Sequence, residues 1–414
     1  MQLIVAFVWT WSVAACAITV KANDIPQAVL TSSLVDAGLR DTGEDNFVQR
    51  SIFGPRSRYQ PSRDWTAAVA LDADDARIHC GDSLASHAPF QGIASFAHLP
   101  QADCFSDAAD ETFDIAIVGA PFDLGVTYRP GARFGPSGAR MGSRRLSQAM
   151  GWRHDWAKIV DCGDIANSPF DKLVAISELE NGSRKLLSTP AANNKTSTQP
   201  RLITLGGDHT ISLPAIRALN ATWGPVALLH FDSHLDSWDP KQIGGGVTRY
   251  SELNHGSMFH ILHGEHALLE GSNMHLGSRS MLFDNHEDME NDARCGFSVI
   301  KASDIDKLGV DQIVQRVQDR VGQSRTYVSI DIDVLDPAFA PATGTLEAGG
   351  WTSRELLAIL RGLTKAGIKI VGADVVEFTP VYDNTAESSG VAVAQIVYEL
   401  LQWMIKVPVP LKSY

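Results

Sequence analysis

Residues 226–236 read Val226-Ala-Leu-Leu-His-Phe-Asp232-Ser-His234-Leu-Asp236, an apolar run of strand length that ends in three alternating polar ligands. Comparable apolar runs lie at 115–118, 202–205, 327–332 and 368–375. They are nearly continuous rather than alternating, as strands covered on both faces are. Helical stretches separate them. The clearest opens at Thr352, where Thr352-Ser-Arg-Glu355 forms a capping box. Leu356, Ile359, Leu360 and Leu363 then mark one face, and Gly367 closes the helix. A last helix is expected over 391–404. Strands alternating with helices predict an α/β fold: three layers, α/β/α, around a mainly parallel sheet with right-handed crossovers.

Ligands of such sheets bind beyond the carboxyl ends of the strands. Four of the runs end in polar residues: Gly206-Gly-Asp208-His209, Asp232-Ser-His234-Leu-Asp236, Asp331-Ile-Asp333, and Glu377. Packing does not account for them, because a carboxylate is costly to bury unless it is paired or metal-bound. The spacing of two in Asp232-x-His234-x-Asp236 is expected to point three side chains to one side of an extended segment, and Asp331-x-Asp333 to repeat that geometry. With His209 this makes four carboxylates and two imidazoles. The set is too large for one tetrahedral zinc and suits two octahedral ions. Mixed nitrogen and oxygen ligands without thiolate point to Mn²⁺ first, with iron, cobalt or nickel as alternatives. His230 is expected to point away from the metals into the core. His260, His263, His266, His275 and His286 show no second ligand spacing and are expected at the surface or on a pocket wall.

These residues carry a resemblance. Leu205-Gly-Gly-Asp-His209, Asp232-Ser-His-Leu-Asp236 and Ser329-Ile-Asp-Ile-Asp-Val-Leu-Asp-Pro337, with Pro341 and Gly350 downstream, resemble the three signatures of the ureohydrolase (arginase/agmatinase) family. Arg129-Pro-Gly-Ala-Arg-Phe-Gly-Pro136 and Asn254-His-Gly256 resemble its agmatinase branch. The likeness spans roughly residues 89–406. It implies hydrolysis of a guanidino compound to urea and an amine. His209, Asp232, His234, Asp236, Asp331 and Asp333 would hold two manganese ions per subunit, with Asp232, Asp236 and Asp331 as bridging or shared carboxylates. Asp236, His255 and Glu377 would be the catalytic set, Glu377 orienting the guanidinium and His255 shuttling protons. A trimer or hexamer is implied in the same way.

The branch resemblance implies agmatine as substrate, giving putrescine and urea, with 4-guanidinobutyrate as the alternative. Segment 237–246 departs from the arginase pattern that holds an α-amino acid, which argues against arginine. An ammonium tail would need an acidic wall, for which Asp284, Glu287 and Asp288 are candidates. A carboxylate tail would need Arg249, Arg279 or His286, and Trp238 could flank the linker in either case. Arg129 to Pro136 is expected as a structural loop, with Gly131 and Gly135 in tight turns and its arginines paired to acids.

The rest of the chain bounds the setting. Among 414 residues, 35 Lys and Arg oppose 48 Asp and Glu, a formal charge of −13. That argues against nucleic acid or an anionic membrane surface and mildly favours a small cationic partner. Residues 3–17 are almost wholly apolar and Val20-Lys-Ala22 fits a cleavage site, so 1–22 are expected to be a signal peptide. The mature chain would then be secreted or held in a secretory compartment, with no membrane span. Residues 23–88 read as an N-terminal extension, similar to that of fungal agmatinase-like proteins, and 89–414 as the ureohydrolase domain. Sequons at Asn181, Asn194 and Asn220 would suit a glycoprotein, and 188–200 read as a surface insertion. Four cysteines follow the signal. They allow three pairings, with a Cys80–Cys104 bridge conceivable and Cys162 expected as a buried free thiol. Two readings from other classes compete. A secretory glycosyltransferase would use Asp331-x-Asp333 with Mn²⁺ but leaves His209 and the 232–236 triplet unexplained. A non-catalytic secreted metal-binding protein would leave Glu377 without a purpose.

Overall fold

The computed structural model describes residues 92–410, apart from 107–110, 147–155, 194, 195, 197 and 198. The expected signal peptide, the 23–88 extension, Cys80 and Asn194 lie outside the described residues. Eight strands, β1 (Ile115–Ala120), β2 (Ile159–Asp164), β3 (Arg201–Gly206), β4 (Ala227–Phe231), β5 (Asn273–Ser278), β6 (Phe297–Lys301), β7 (Arg325–Asp331) and β8 (Lys369–Val376), form one sheet. Its order is β2-β1-β3-β8-β7-β4-β5-β6 and every pairing is parallel. The larger helices are α1 (Gly135–Gly142), α2 (Lys172–Ser188), α3 (Ser212–Trp223), α4 (Met258–Gly264), α5 (Asn285–Arg294), α6 (Ile305–Val321), α7 (Ser353–Lys365) and α8 (Ser388–Lys406).

Alternation along the strands divides the core into two layers. Ile115, Ile117, Ile203, Leu229 and Ile330 pack with Ile313 of α6, Leu356 and Leu360 of α7, and Val397 and Leu400 of α8. Ala116, Val118, Leu202, Leu228 and Tyr327 pack with Ile176 and Leu179 of α2, Ile216 and Leu219 of α3, and Phe259 of α4. Burial on both faces is why these strands read as unbroken apolar runs. The cap of α7 forms as its sequence requires: Thr352 Oγ1 accepts the Glu355 N–H at 3.2 Å, and Glu355 Oε2 accepts the Thr352 N–H at 2.8 Å. Strands β2, β5 and β6 carry too many polar residues to stand out in the sequence.

Two expectations are corrected. Cys162 is not a free thiol but is bridged to Cys104, and among the described residues the buried free cysteine is Cys295. The bridge forms because Gln101 pairs alongside Asp161, an edge contact that brings Cys104 against β2. In the 129–136 segment Gly131 does adopt a left-handed turn (φ 125°), but Gly135 does not. It starts α1, where a Cβ would stand 2.4 Å from the Gly206 carbonyl, so close approach is what demands glycine. Arg133 pairs with Asp123, whereas Arg129 lies over the rings of Tyr128 and Tyr382 instead of an acid.

Arg201 opens β3 fully buried and donates to the carbonyls of Ile370, Met404 and Val407, joining the sheet to the end of α8. Burial lowers its pKa to about 9, so it stays charged at neutral pH. Replacing it by methionine strands three carbonyls. This is expected to cost about 3 kcal/mol and lower the melting temperature by roughly 3–5 °C, read by calorimetry.

Candidate metal centre

The four central strands β3, β8, β7 and β4 are neighbours, and each delivers a functional side chain at its carboxyl end. His209 follows β3, Glu377 follows β8, Asp331 ends β7 and Asp232 follows β4. All six expected ligands converge. Strand alternation brings only part of this about. Asp236 takes a left-handed backbone (φ 56°), and Asp333 sits in a 3₁₀ turn, Ile332–Val334, so both triplets curl around the site instead of extending past it.

Two sub-clusters share one carboxylate. His209 Nδ1 lies 3.0 Å from Asp236 Oδ2, 3.2 Å from Asp232 Oδ2 and 3.4 Å from Asp331 Oδ2. His234 Nδ1 lies 3.1 Å from both Asp232 Oδ1 and Asp333 Oδ2. Asp232 therefore turns one oxygen to each imidazole, the arrangement of a bridging ligand. His209 Nδ1 is fully buried without a hydrogen-bond partner, and its Nε2 meets Ser329 Oγ at 2.7 Å. Ser329 donates in turn to Asp374 at 2.6 Å, and Asp374 also accepts from Ser212 and Tyr327. Such an outer partner fixes the tautomer that points Nδ1 inward. Donors, spacing and the orphaned Nδ1 fit two divalent cations with nitrogen and oxygen ligands.

The charges crowd one another. Burial and the neighbouring Asp333 and Asp232 push Asp331 well above the usual carboxylate range. Burial and Asp232 lift Asp333 to about 6. Burial would depress His209 and His234, but the surrounding carboxylates outweigh it and raise both well above the usual imidazole range. Asp232 runs the other way: burial opposes its ionisation, and the histidines around it hold it well below the usual range.

Glu377 stands beside the cluster. Its Oε1 accepts the His209 backbone N–H at 2.8 Å and meets His255 Nδ1 at 2.9 Å, while Oε2 is buried without a partner. His255 Nε2 is 3.1 Å from the Thr127 N–H and 2.7 Å from its Oγ1. The backbone contact favours a neutral ring. Against burial, Glu377 and Asp236 favour a protonated one and raise the pKa to about 9. These opposed demands suit a proton that is gained and lost in turnover.

A cavity of about 290 Å³ opens above, lined by His234, Asp236, His255 and Asp331 at the cluster and by Trp238, Phe283 and Glu347 farther along its wall. No lysine or arginine lines it among the described residues. None of the six tail candidates lines it either. Asp284 caps α5, Asp288 is buried beneath that cap, and the His286 side chain is exposed beside Glu290. Arg279 donates to the carbonyls of Asp333, Leu335, Glu347 and Ala348, which fixes the loop over the site. Glu347 and Thr127 had no periodicity or motif spacing to betray them.

His230 is corrected as well. Residues 230 and 232 share parity, so His230 faces the cluster, with Nε2 2.9 Å from Asp232 Oδ2. His275 is not at the surface but fully buried on β5.

A model of the arginase family matches residues 113–402. The chain belongs to the arginase family. This ureohydrolase is 50% identical over 352 residues to "Putative agmatinase 1" of Schizosaccharomyces pombe, covering 81% of this chain and 88% of that one. It is 36% identical over 298 residues to the agmatinase of Neisseria meningitidis serogroup C, covering 70% and 86%. Among solved structures it resembles the proclavaminate amidino hydrolase of Streptomyces clavuligerus, with a TM-score of 0.67, 32% identity, and coverage of 77% of this chain and 99% of that one. The family confirms the parallel-sheet architecture and makes the chain a ureohydrolase that acts on guanidino compounds.

Proposed function

We propose that this ureohydrolase is an agmatinase that cleaves agmatine to putrescine and urea with two manganese ions. The observation that carries the reading is the buried, unpartnered Oε2 of Glu377, which His255 links to a cavity without lysine or arginine in its wall. A guanidinium supplies the N–H donors that this oxygen lacks, and carboxylate–guanidinium pairing is strong and directional. His209, Asp232, Asp236 and Asp331 would hold one ion, and Asp232, His234 and Asp333 the other. Two bound divalent cations supply hydroxide at neutral pH.

The protein's own groups do the remaining work. Glu377 orients the guanidinium and is itself held by the His209 N–H and His255. His255, on the cavity wall, carries a proton toward the departing amine. Trp238 and Phe283 flank the aliphatic linker, their rings 5.8 Å apart in an edge arrangement. Glu347 makes the far wall acidic, which suits an ammonium tail and repels a carboxylate. The names of the sequence relatives point the same way.

The test is urea release from agmatine, 4-guanidinobutyrate and arginine by the Mn²⁺-loaded protein. Agmatine is expected to exceed 4-guanidinobutyrate in kcat/KM by at least ~100-fold, the effect of one misplaced charge of about 3 kcal/mol. Preference for 4-guanidinobutyrate would overturn the substrate assignment while leaving the hydrolase chemistry intact. The apolar 3–17 stretch supports a secretory location, and the Cys104–Cys162 bridge suits an oxidising compartment.

A further inference from the structure

A buried polar chain runs from the cluster into the layer between β4, β5 and α5. His230 and His275 face each other across the β4–β5 pairing, with their Nδ1 atoms 2.7 Å apart. His230 Nε2 reaches Asp232 Oδ2, and His275 Nε2 reaches Asp292 Oδ1 on α5 at 2.8 Å. The same Asp292 oxygen accepts the Ser237 hydroxyl at 2.6 Å, and Asn291 donates to the Ser237 carbonyl at 2.6 Å. Ser237 directly follows Asp236. All four side chains of the chain, His230, His275, Asp292 and Ser237, are at most 1% exposed. The path closes into a ring: from Asp232 through two imidazoles to Asp292, then through Ser237 to Asp236.

We propose that Asp292 is a positioning residue for the metal centre, holding Asp232 through His230 and His275 and holding Asp236 through Ser237, and so setting the affinity for the metal ions. This rests on the binuclear reading of the site. Two features require such a brace. Asp232 must keep each oxygen aimed at a different imidazole. Asp236 must hold a left-handed backbone, which is costlier for a residue with a Cβ than for glycine. The rings themselves are fixed: His275 stacks on Phe297 at 4.0 Å, and Phe259 meets His230 edge-on at 4.7 Å. An apolar filling would suffice if the region only needed packing, since buried charge is a poor source of stability. Outer partners of metal ligands characteristically contribute 10- to 100-fold in affinity.

The experiment titrates Mn²⁺ into chelator-stripped full-length wild type, Asp292→Asn, His275→Gln and the double variant, with binding followed by calorimetry. Asp292→Asn is expected to weaken Mn²⁺ binding by roughly 10- to 100-fold. Its metal-free melting temperature should stay close to that of wild type, and turnover should recover as Mn²⁺ is raised. The double variant should bind little worse than the weaker single one, because both residues belong to one chain. Wild-type affinity in Asp292→Asn would overturn the proposal. So would a loss matched by metal-free destabilisation and not reversed by excess Mn²⁺. If Asp292→Asn fails to fold, Ser237→Ala is read in the same way: a several-fold loss supports the brace and unchanged affinity overturns it. No Mn²⁺ uptake by wild type would instead remove the binuclear reading, and the proposal with it.

Discussion

Glu377→Gln is expected to lower kcat/KM for agmatine by on the order of 10³-fold while the bound manganese stays at the wild-type level. The reason lies in how the two oxygens divide their tasks. Oε1 is occupied by the His209 N–H and His255, and a glutamine carbonyl can still accept both. Oε2 is the oxygen left for substrate. Glutamine replaces it with an NH₂ that presents donors to a donor. Breaking a buried charge pair from one side costs about 3–5 kcal/mol, and each 1.4 kcal/mol is a factor of ten. Urea release and metal analysis on the same sample separate this from loss of the centre. Activity within tenfold of wild type, with metal retained, would show that Glu377 does not bind the guanidinium.

Five contiguous strands of the sheet are readable in the sequence because β1, β3, β8, β7 and β4 are covered on both faces and so read as apolar runs. The sequence hid β5, whose Asn273 and His275 are buried polar residues satisfied by partners distant in the chain. The ligands were legible for a related reason: Asp and His crowded at strand ends have no packing explanation. Strand alternation accounts for His230 reaching Asp232 but not for Asp236 or Asp333, which turns bring in. The tail wall was not legible. Asp284, Glu287 and Asp288 are equally acidic in sequence, but helix capping and burial divert Asp284 and Asp288, whereas Glu347 lies on a loop that Arg279 pins over the cavity. Which acid lines a cavity is decided by contacts across the chain, and no local pattern records them.

Removing the metal is expected to expose a fold that its own active site destabilises, with a pH dependence of definite sign. Asp331, Asp333 and Asp236 are raised in the fold, Asp333 to about 6, and His209 and His234 are raised as well. The metal-free native state therefore binds more protons than the unfolded chain, so its stability falls as pH rises from about 5.5 to 8.5. Asp232 is lowered, and its stabilising contribution is lost only in acid well below that window. Cations replace those protons, so their affinity rises over the same range. At a thousandfold excess over Kd, each ion contributes about 4 kcal/mol. Manganese should thus raise the melting temperature by on the order of 10 °C or more at pH 8.5, and by much less at pH 5.5. Asp331→Asn sharpens the point. It removes one of the crowded charges, so its metal-free form should melt no lower than metal-free wild type. The same substitution should cut the Mn²⁺-induced shift to half or less and abolish urea release. A fully active, metal-depleted Asp331→Asn protein would sink the binuclear centre. A variant that is stabler when stripped yet inert when loaded would show that these carboxylates are held together for the cations and not for the fold.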